Sequence, residues 1–224
     1  MRIFGTILAG GAGLRMGSDK ALMPLAGRPL VAWVAERFAP QVEELALSAN
    51  GDPTRFAKLG LPEGLTILPD RMAGDTPSAN LQLIAGNPPR LLHMSLPTLS
   101  KGPLSGILAG LIWAAPLGAT ALVVVPCDGP FLPPDLVPRL CMAAEGGVPA
   151  LATSGTDVHP TYSLWPILLL PALQAFLASD AVPRVRDFAM EHGAALATFA
   201  PGSFTNANTP QDLARLEALF AAQQ

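Results

Sequence analysis

The chain of 224 residues carries 14 Lys+Arg against 17 Asp+Glu, a formal net charge of −3, with 50% hydrophobic and 14% charged residues. That length fits one large domain of the usual roughly 100–200 residues, and so apolar a composition excludes a disordered chain. The acidic balance argues against a broad nucleic-acid face, which needs clustered Lys and Arg to displace counterions, and leaves room for local anion sites.

In chain order, short apolar runs alternate with helical patterns, as a parallel α/β sheet requires. Residues 2–9 read as the first strand and 10–20 as the loop behind it. The apolar run after Arg2 mimics a signal peptide only faintly, because Gly5, Gly10, Gly11 and Gly13 interrupt it and Arg15 and Lys20 follow. Pro29 opens a helix running to about Phe38, and residues 44–48 and 65–68 read as strands. Gly102-Pro103 opens a helix over 103–115, and 119–125 is the strongest strand in the chain. Pro134 starts another helix; 149–152 and 161–165 read as short strands, and 167–178 as a helix. Thr209-Pro210-Gln211-Asp212 is a helix start, with a capping hydroxyl, a first-turn proline and an acid three positions on. The last helix then shows Leu213, Leu216, Leu219 and Phe220 on one face.

Residues 71–101, with Pro77, Pro88, Pro89 and Pro97, break this rhythm and are expected to be a loop inserted in a single domain spanning 1–224. No apolar run reaches the roughly 18 residues of a membrane span. Cys127 and Cys141 are expected to be buried small side chains. They form neither a disulfide framework nor a zinc cluster, so a reduced, cytoplasmic setting is expected.

The segment from Leu8 to Lys20 carries the chemistry. Gly10, Gly11, Gly13 and Gly17 lie just past a buried strand, accompanied by Arg15 and followed by Lys20. Such a loop turns tightly and offers backbone N–H groups to phosphate oxygens, while the cations neutralise charge. A dinucleotide fingerprint would need glycine where Met16 stands, and a Walker A loop would need Ser or Thr where Ala21 follows Lys20.

The pattern Leu-Ala-Gly-Gly-x-x-x-Arg-Met-Gly-x-Asp-Lys resembles the N-terminal signature of the molybdenum cofactor guanylyltransferases, the MobA family. The resemblance continues through Gly27-Arg28-Pro29-Leu30, Gly102-Pro103-Leu104-Ser105-Gly106, Pro126-Cys-Asp128-Gly-Pro-Phe-Leu132, His159-Pro160 and Phe204-Thr-Asn206-Ala-Asn208-Thr-Pro210. It implies a Rossmann-like, three-layer α/β/α fold with a mostly parallel sheet, similar to the nucleotide-diphospho-sugar transferases. The implied reaction is transfer of GMP from GTP to the terminal phosphate of molybdopterin or its molybdenum-loaded form, with Mg²⁺ as cofactor and pyrophosphate as by-product. Molybdenum-insertion proteins and apo-molybdoenzymes are the implied transient partners.

Residue by residue, the resemblance places Leu8, Ala9, Gly10, Gly11, Arg15, Lys20, Asn50, Asp70 and Asp128 around GTP. Arg15, Lys20 and Asp128 would act in catalysis, and Asp128 would hold the metal. Asp128 in Asp-Gly-Pro also suits a plain turn, and Asn50 and Asp70 suit loop closure. His159, Asn206 and Asn208 fall on the pterin side; the asparagines also suit helix entry, and a lone His near a strand is commonly structural. Ser105 stands where relatives have Ala, and residues 71–101 separate Asp70 from Gly102 where relatives have a short link. Gly11 favours guanine. A cytidylyl- or sugar-phosphate nucleotidyltransferase of the same fold, or a non-catalytic nucleotide-binding carrier, are the competing readings.

Overall fold

The computed structural model describes residues 1–10, 19–69, 102–179 and 182–221. The expected insertion over 71–101 lies outside the described residues. Seven strands form one sheet: β1 (Ile3–Leu8), β4 (Glu44–Ser48), β5 (Thr66–Leu68), β6 (Ala121–Pro126), β7 (Ala150–Ser154), β8 (Asp157–Pro166) and β9 (Ala195–Phe199). Their order is β5-β4-β1-β6-β8-β7-β9. All pairings are parallel except those of β8, which runs antiparallel to both β6 and β7. A separate two-stranded ribbon joins β2 (Pro24–Leu25) to β3 (Arg28–Pro29).

The central strand β6 is apolar and fully buried along its length, as a strand covered on both faces must be. Val123 and Val125 pack on one face with Val31, Val34 and Phe38 of α1 (Leu30–Phe38) and Leu136 and Leu140 of α3 (Leu136–Ala143). Leu122 and Val124 pack on the other, against α2 (Pro103–Ala114), α4 (Leu170–Ala178) and α5 (Val185–Glu191). The expected three-layer α/β/α arrangement is therefore present. The last helix, α6 (Pro210–Ala221), stands apart from both layers. Its Leu216 joins Leu25, Leu30 and Ala207 in a small third cluster, and Phe220 packs on Trp33 at 4.6 Å between ring centroids.

Several boundaries differ from the sequence expectation. Pro29 caps α1 in extended conformation, and α3 begins at Leu136 because Pro133-Pro134-Asp135 closes a turn first, with Leu136 N–H donating to the Pro133 carbonyl at 3.2 Å. Strand β8 is twice as long as expected, while β9, α5 and the β2–β3 ribbon were not anticipated. Leu219 is exposed at 41%, off the buried face of α6, and Cys141 is only half-buried, unlike Cys127.

Two glycines explain how α2 reaches the sheet. A Cβ on Gly106 would lie 2.8 Å from Leu8 Cδ2 and 2.9 Å from Ser48 Oγ; on Gly110 it would lie 2.6 Å from Leu122 Cδ2. Helix α2 thus rests almost directly on β1, β4 and β6, and Gly106 sits over the carboxyl ends of β1 and β4.

Candidate active site

In open α/β sheets, ligands bind outside the carboxyl ends of the strands, where neighbouring connections run in opposite directions. That point lies here between β1 and β6, because the chain leaves β1 toward β4 and returns on the other side as β6. The glycine loop follows β1 and Asp128 follows β6. The edge is built by backbone bonds: Ala9 N–H donates to the Ser48 carbonyl at 2.7 Å, and Cys127 N–H to the Leu8 carbonyl at 3.1 Å.

Lys20 reaches this edge from a short 3-10 turn, residues Lys20–Leu22, capped by Asp19, whose Oδ1 accepts from Ala21 N–H at 3.1 Å. Asp19 Oδ2 also pairs with Arg55 Nε at 3.0 Å. From that anchor Lys20 Nζ donates to Asp128 Oδ2 at 3.0 Å and to Asn208 Oδ1 at 2.6 Å. The ion pair is largely shielded, with 23% and 12% of the two side chains exposed. Asp128 Oδ1 is buried with no hydrogen-bond partner among the described residues.

The loop before α6 folds back on Asp128, with Ala207 N–H donating to its carbonyl at 2.8 Å. Its helix start forms as expected. Asp212 Oδ2 accepts from Thr209 N–H at 2.9 Å while Thr209 Oγ1 accepts from Asp212 N–H at 3.1 Å, and Asp212 also takes Asn208 N–H at 3.1 Å. These bonds, with that of Thr209 first, hold the Asp212 carboxyl below its ordinary range. Helix capping is thus done by Thr209 and Asp212, which leaves both asparagine side chains for other contacts.

Beside these residues opens a cavity of about 420 Å³, lined among others by Ser154, His159, Phe204, Asn206, Asn208 and Arg215. His159 Nε2 lies 2.8 Å from Ser154 Oγ. Burial pulls the imidazole below its ordinary pKa, against the opposing Asp157 carboxylate, and so favours the neutral ring.

The structure therefore brings Leu8, Ala9, Gly10, Lys20 and Asp128 to one edge, and His159, Asn206 and Asn208 to one cavity adjoining it. Asn50 lies two residues past β4 on the opposite flank of β1, half-buried. Gly11, Arg15 and Asp70 lie outside the described residues. Sequence reasoning missed Tyr162, Ser154 and Arg215. Tyr162 alone carried a signal, as the single tyrosine of the chain, three residues after His159. Among the described residues no cluster of three or more His, Cys, Asp or Glu could hold a metal ion, and no helix is long and apolar enough to cross a membrane.

A mostly parallel sheet with a lysine and a carboxylate facing each other at its switch point defines the class of protein, an open α/β fold with its polar groups gathered where such sheets bind ligands. The family model for the MobA-like NTP transferase domain matches residues 5–195. The chain is 51% identical over 222 residues to the molybdenum cofactor guanylyltransferase of Cereibacter sphaeroides, covering 98% of each chain. It is 46% identical to that of Rhodobacter capsulatus, covering 97% of this chain and 96% of the relative. Among solved structures, the molybdopterin-guanine dinucleotide biosynthesis protein A of Archaeoglobus fulgidus matches with a TM-score of 0.64 at 19% identity over 98% of this chain and 99% of that one. The 2-C-methyl-D-erythritol 4-phosphate cytidylyltransferase of Thermus thermophilus shares the fold at a TM-score of 0.62 and 18% identity, over 98% of each chain. The chain belongs to the MobA-like NTP transferase family.

Proposed function

We propose that this protein is a molybdenum cofactor guanylyltransferase, moving GMP from GTP to the terminal phosphate of molybdopterin or Mo-molybdopterin. One observation carries the reading. The Lys20–Asp128 pair at the switch point is joined through Asn208 to the wall of a cavity large enough for a second substrate. The near full-length relatives that bear this name support the choice of substrates.

An oxygen of the acceptor phosphate attacks the α-phosphorus of GTP. That P–O bond forms as the bond from the α-phosphorus to the bridging oxygen breaks, and pyrophosphate departs. Both reactants are anions, so positioning and charge neutralisation make up most of the catalysis. Lys20 would hold the triphosphate and take up charge on the departing pyrophosphate, a role that Arg15 would share. Leu8, Ala9, Gly10 and Gly11 would border the nucleotide, and Asn50 and Asp70 would also contact it.

Asp128 suits a magnesium ion. Its Oδ2 is held by Lys20 while its Oδ1 is buried and has no hydrogen-bond partner among the described residues, and Mg²⁺ commonly takes one or two carboxylates with substrate phosphates. Bound there, Mg²⁺ would neutralise triphosphate charge. The amides of Asn206 and Asn208 and the neutral His159 suit the polar edge and phosphate of a pterin. A cytoplasmic setting, with transient contacts to a molybdenum-insertion protein and to apo-molybdoenzymes, completes the reading. The test is incubation with α-phosphate-labelled GTP, Mg²⁺ and molybdopterin. Label appearing in a pterin dinucleotide supports the reading, and label remaining in GTP with verified active acceptor contradicts it.

A further inference from the structure

Tyr162 is the only tyrosine of the chain and is 1% exposed. Its placement follows from an irregularity in the sheet. Leu151 of β7 pairs with Ser163, yet the next residue, Ala152, pairs with His159, so residues 160–162 of β8 bulge out of the ladder. Pro160, which has no N–H to donate, sits within that interruption, and bulges of this kind re-aim side chains. Tyr162 is turned so that its ring packs on Phe204 at 4.4 Å between centroids and its hydroxyl donates to Asn206 Oδ1 at 2.7 Å.

The same hydroxyl fills the space beside Gly129, where a Cβ would lie 1.7 Å from the phenol oxygen. One phenol therefore touches both the loop that carries Asp128 and the loop that carries Asn206. Burial first, then the Asp128 carboxylate, pushes its pKa well above the ordinary value, so the hydroxyl stays a donor. An amide whose oxygen is occupied has its two N–H groups at the other end, and Asn206 lines the cavity.

We propose that Tyr162 is a positioning residue that fixes the Asn206 carboxamide with Oδ1 turned inward and Nδ2 donating into the cavity, so that this amide selects a phosphate oxygen of the acceptor. The inference rests on the function proposed above. A phosphate, rather than the pterin edge, is the group assigned because Asn206 precedes Ala207, whose N–H is bonded to the Asp128 carbonyl at 2.8 Å. The attacking phosphate has to come to that place to reach an α-phosphorus held beside Asp128.

The experiment compares wild type, Tyr162→Phe, Asn206→Ala and the double variant. Tyr162→Phe is expected to raise the KM for molybdopterin about tenfold, the loss of roughly one charge-assisted hydrogen bond to the acceptor phosphate, with the KM for GTP unchanged and the melting temperature lowered by only a few degrees for the lost buried hydroxyl contact. The double variant is expected to be no worse than Asn206→Ala alone. Additive losses, or an equal rise in the KM for GTP, overturn the proposal. The dephosphorylated pterin, used as a competitor, is expected to bind wild type and Tyr162→Phe equally; a matching loss overturns the phosphate assignment. A readout without substrate keeps the contact separate from the reading of function. The Asn206 side-chain amide resonances, identified by their absence in Asn206→Ala, are expected to shift in Tyr162→Phe. Unmoved resonances overturn the contact whatever the cavity binds. Resonances that shift as expected in Tyr162→Phe, together with a wild type that fails to transfer label, overturn the acceptor reading alone.

Discussion

Lys20 Nζ and Asp128 Oδ2 meet at 3.0 Å although the residues are separated by 108 positions in the chain. The pair joins the end of the glycine-rich segment to the end of the central strand, across the point where the sheet's connections reverse. A cation and a carboxylate held so close have complementary uses for a bound nucleotide triphosphate. In the proposed function the first would face phosphate oxygens, and the second would hold the metal that accompanies them.

Replacing Lys20 by alanine removes the cation but little packing, since Lys20 is held by polar contacts. Turnover is expected to fall by at least about 10²-fold, the usual cost of losing one donor to developing charge, with the melting temperature close to wild type. Steady-state kinetics and thermal melting read the two effects apart; near-normal turnover would remove Lys20 from the mechanism.

Asp128→Asn keeps the shape of the side chain and removes its charge. The Mg²⁺ concentration giving half-maximal rate is expected to rise at least about tenfold, because a neutral amide is a poor ligand for a hard cation. Titration of the rate with Mg²⁺ at saturating GTP checks this, and an unchanged Mg²⁺ dependence contradicts the assignment.

Gly129→Ala forces a methyl group to within 1.7 Å of the Tyr162 oxygen. Overpacking of this sort costs about 1–3 kcal/mol, and part of that cost is expected to disappear in the Tyr162→Phe background. Urea denaturation of the single and double variants measures it. Equal destabilisation in both backgrounds would separate Gly129 from Tyr162.

His159 has a folded pKa below its ordinary value because burial disfavours its charged form. The stability this contributes is fully present above the unfolded pKa of about 6.5. It is lost as the pH falls through the folded pKa, since the unfolded chain then binds the proton more readily. Between pH 8 and pH 5 the wild type is expected to lose more stability in urea than His159→Gln, and parallel losses contradict the assignment.

How far the sequence spoke for the structure depended on how local each signal was. Strand β4 was legible to the residue, and so was the helix start at Thr209, whose reciprocal bonds with Asp212 span only three positions. Strand β9 was not. It is rich in alanine, a weak strand former, and only Ala197 and Phe199 of it are buried. The first part of β8 was hidden by Pro160, which ordinarily demotes a strand and here sits in a bulge. Gly106 was legible as part of a motif, whereas its reason, the close approach of α2 to Leu8 and Ser48, required the fold. The contact of Lys20 with Asn208, 188 positions apart, and that of Tyr162 with Asn206 depend on tertiary packing and leave no local pattern.

The most direct measurement is pyrophosphate release by the purified protein with Mg²⁺ and molybdopterin, with GTP and CTP supplied separately. Release with GTP and none with CTP, abolished by omitting molybdopterin, is the expected result. Release with CTP alone would keep the fold and the Lys20–Asp128 chemistry but overturn the guanine assignment, and silence with both nucleotides, given active acceptor, would contradict the proposed reaction itself.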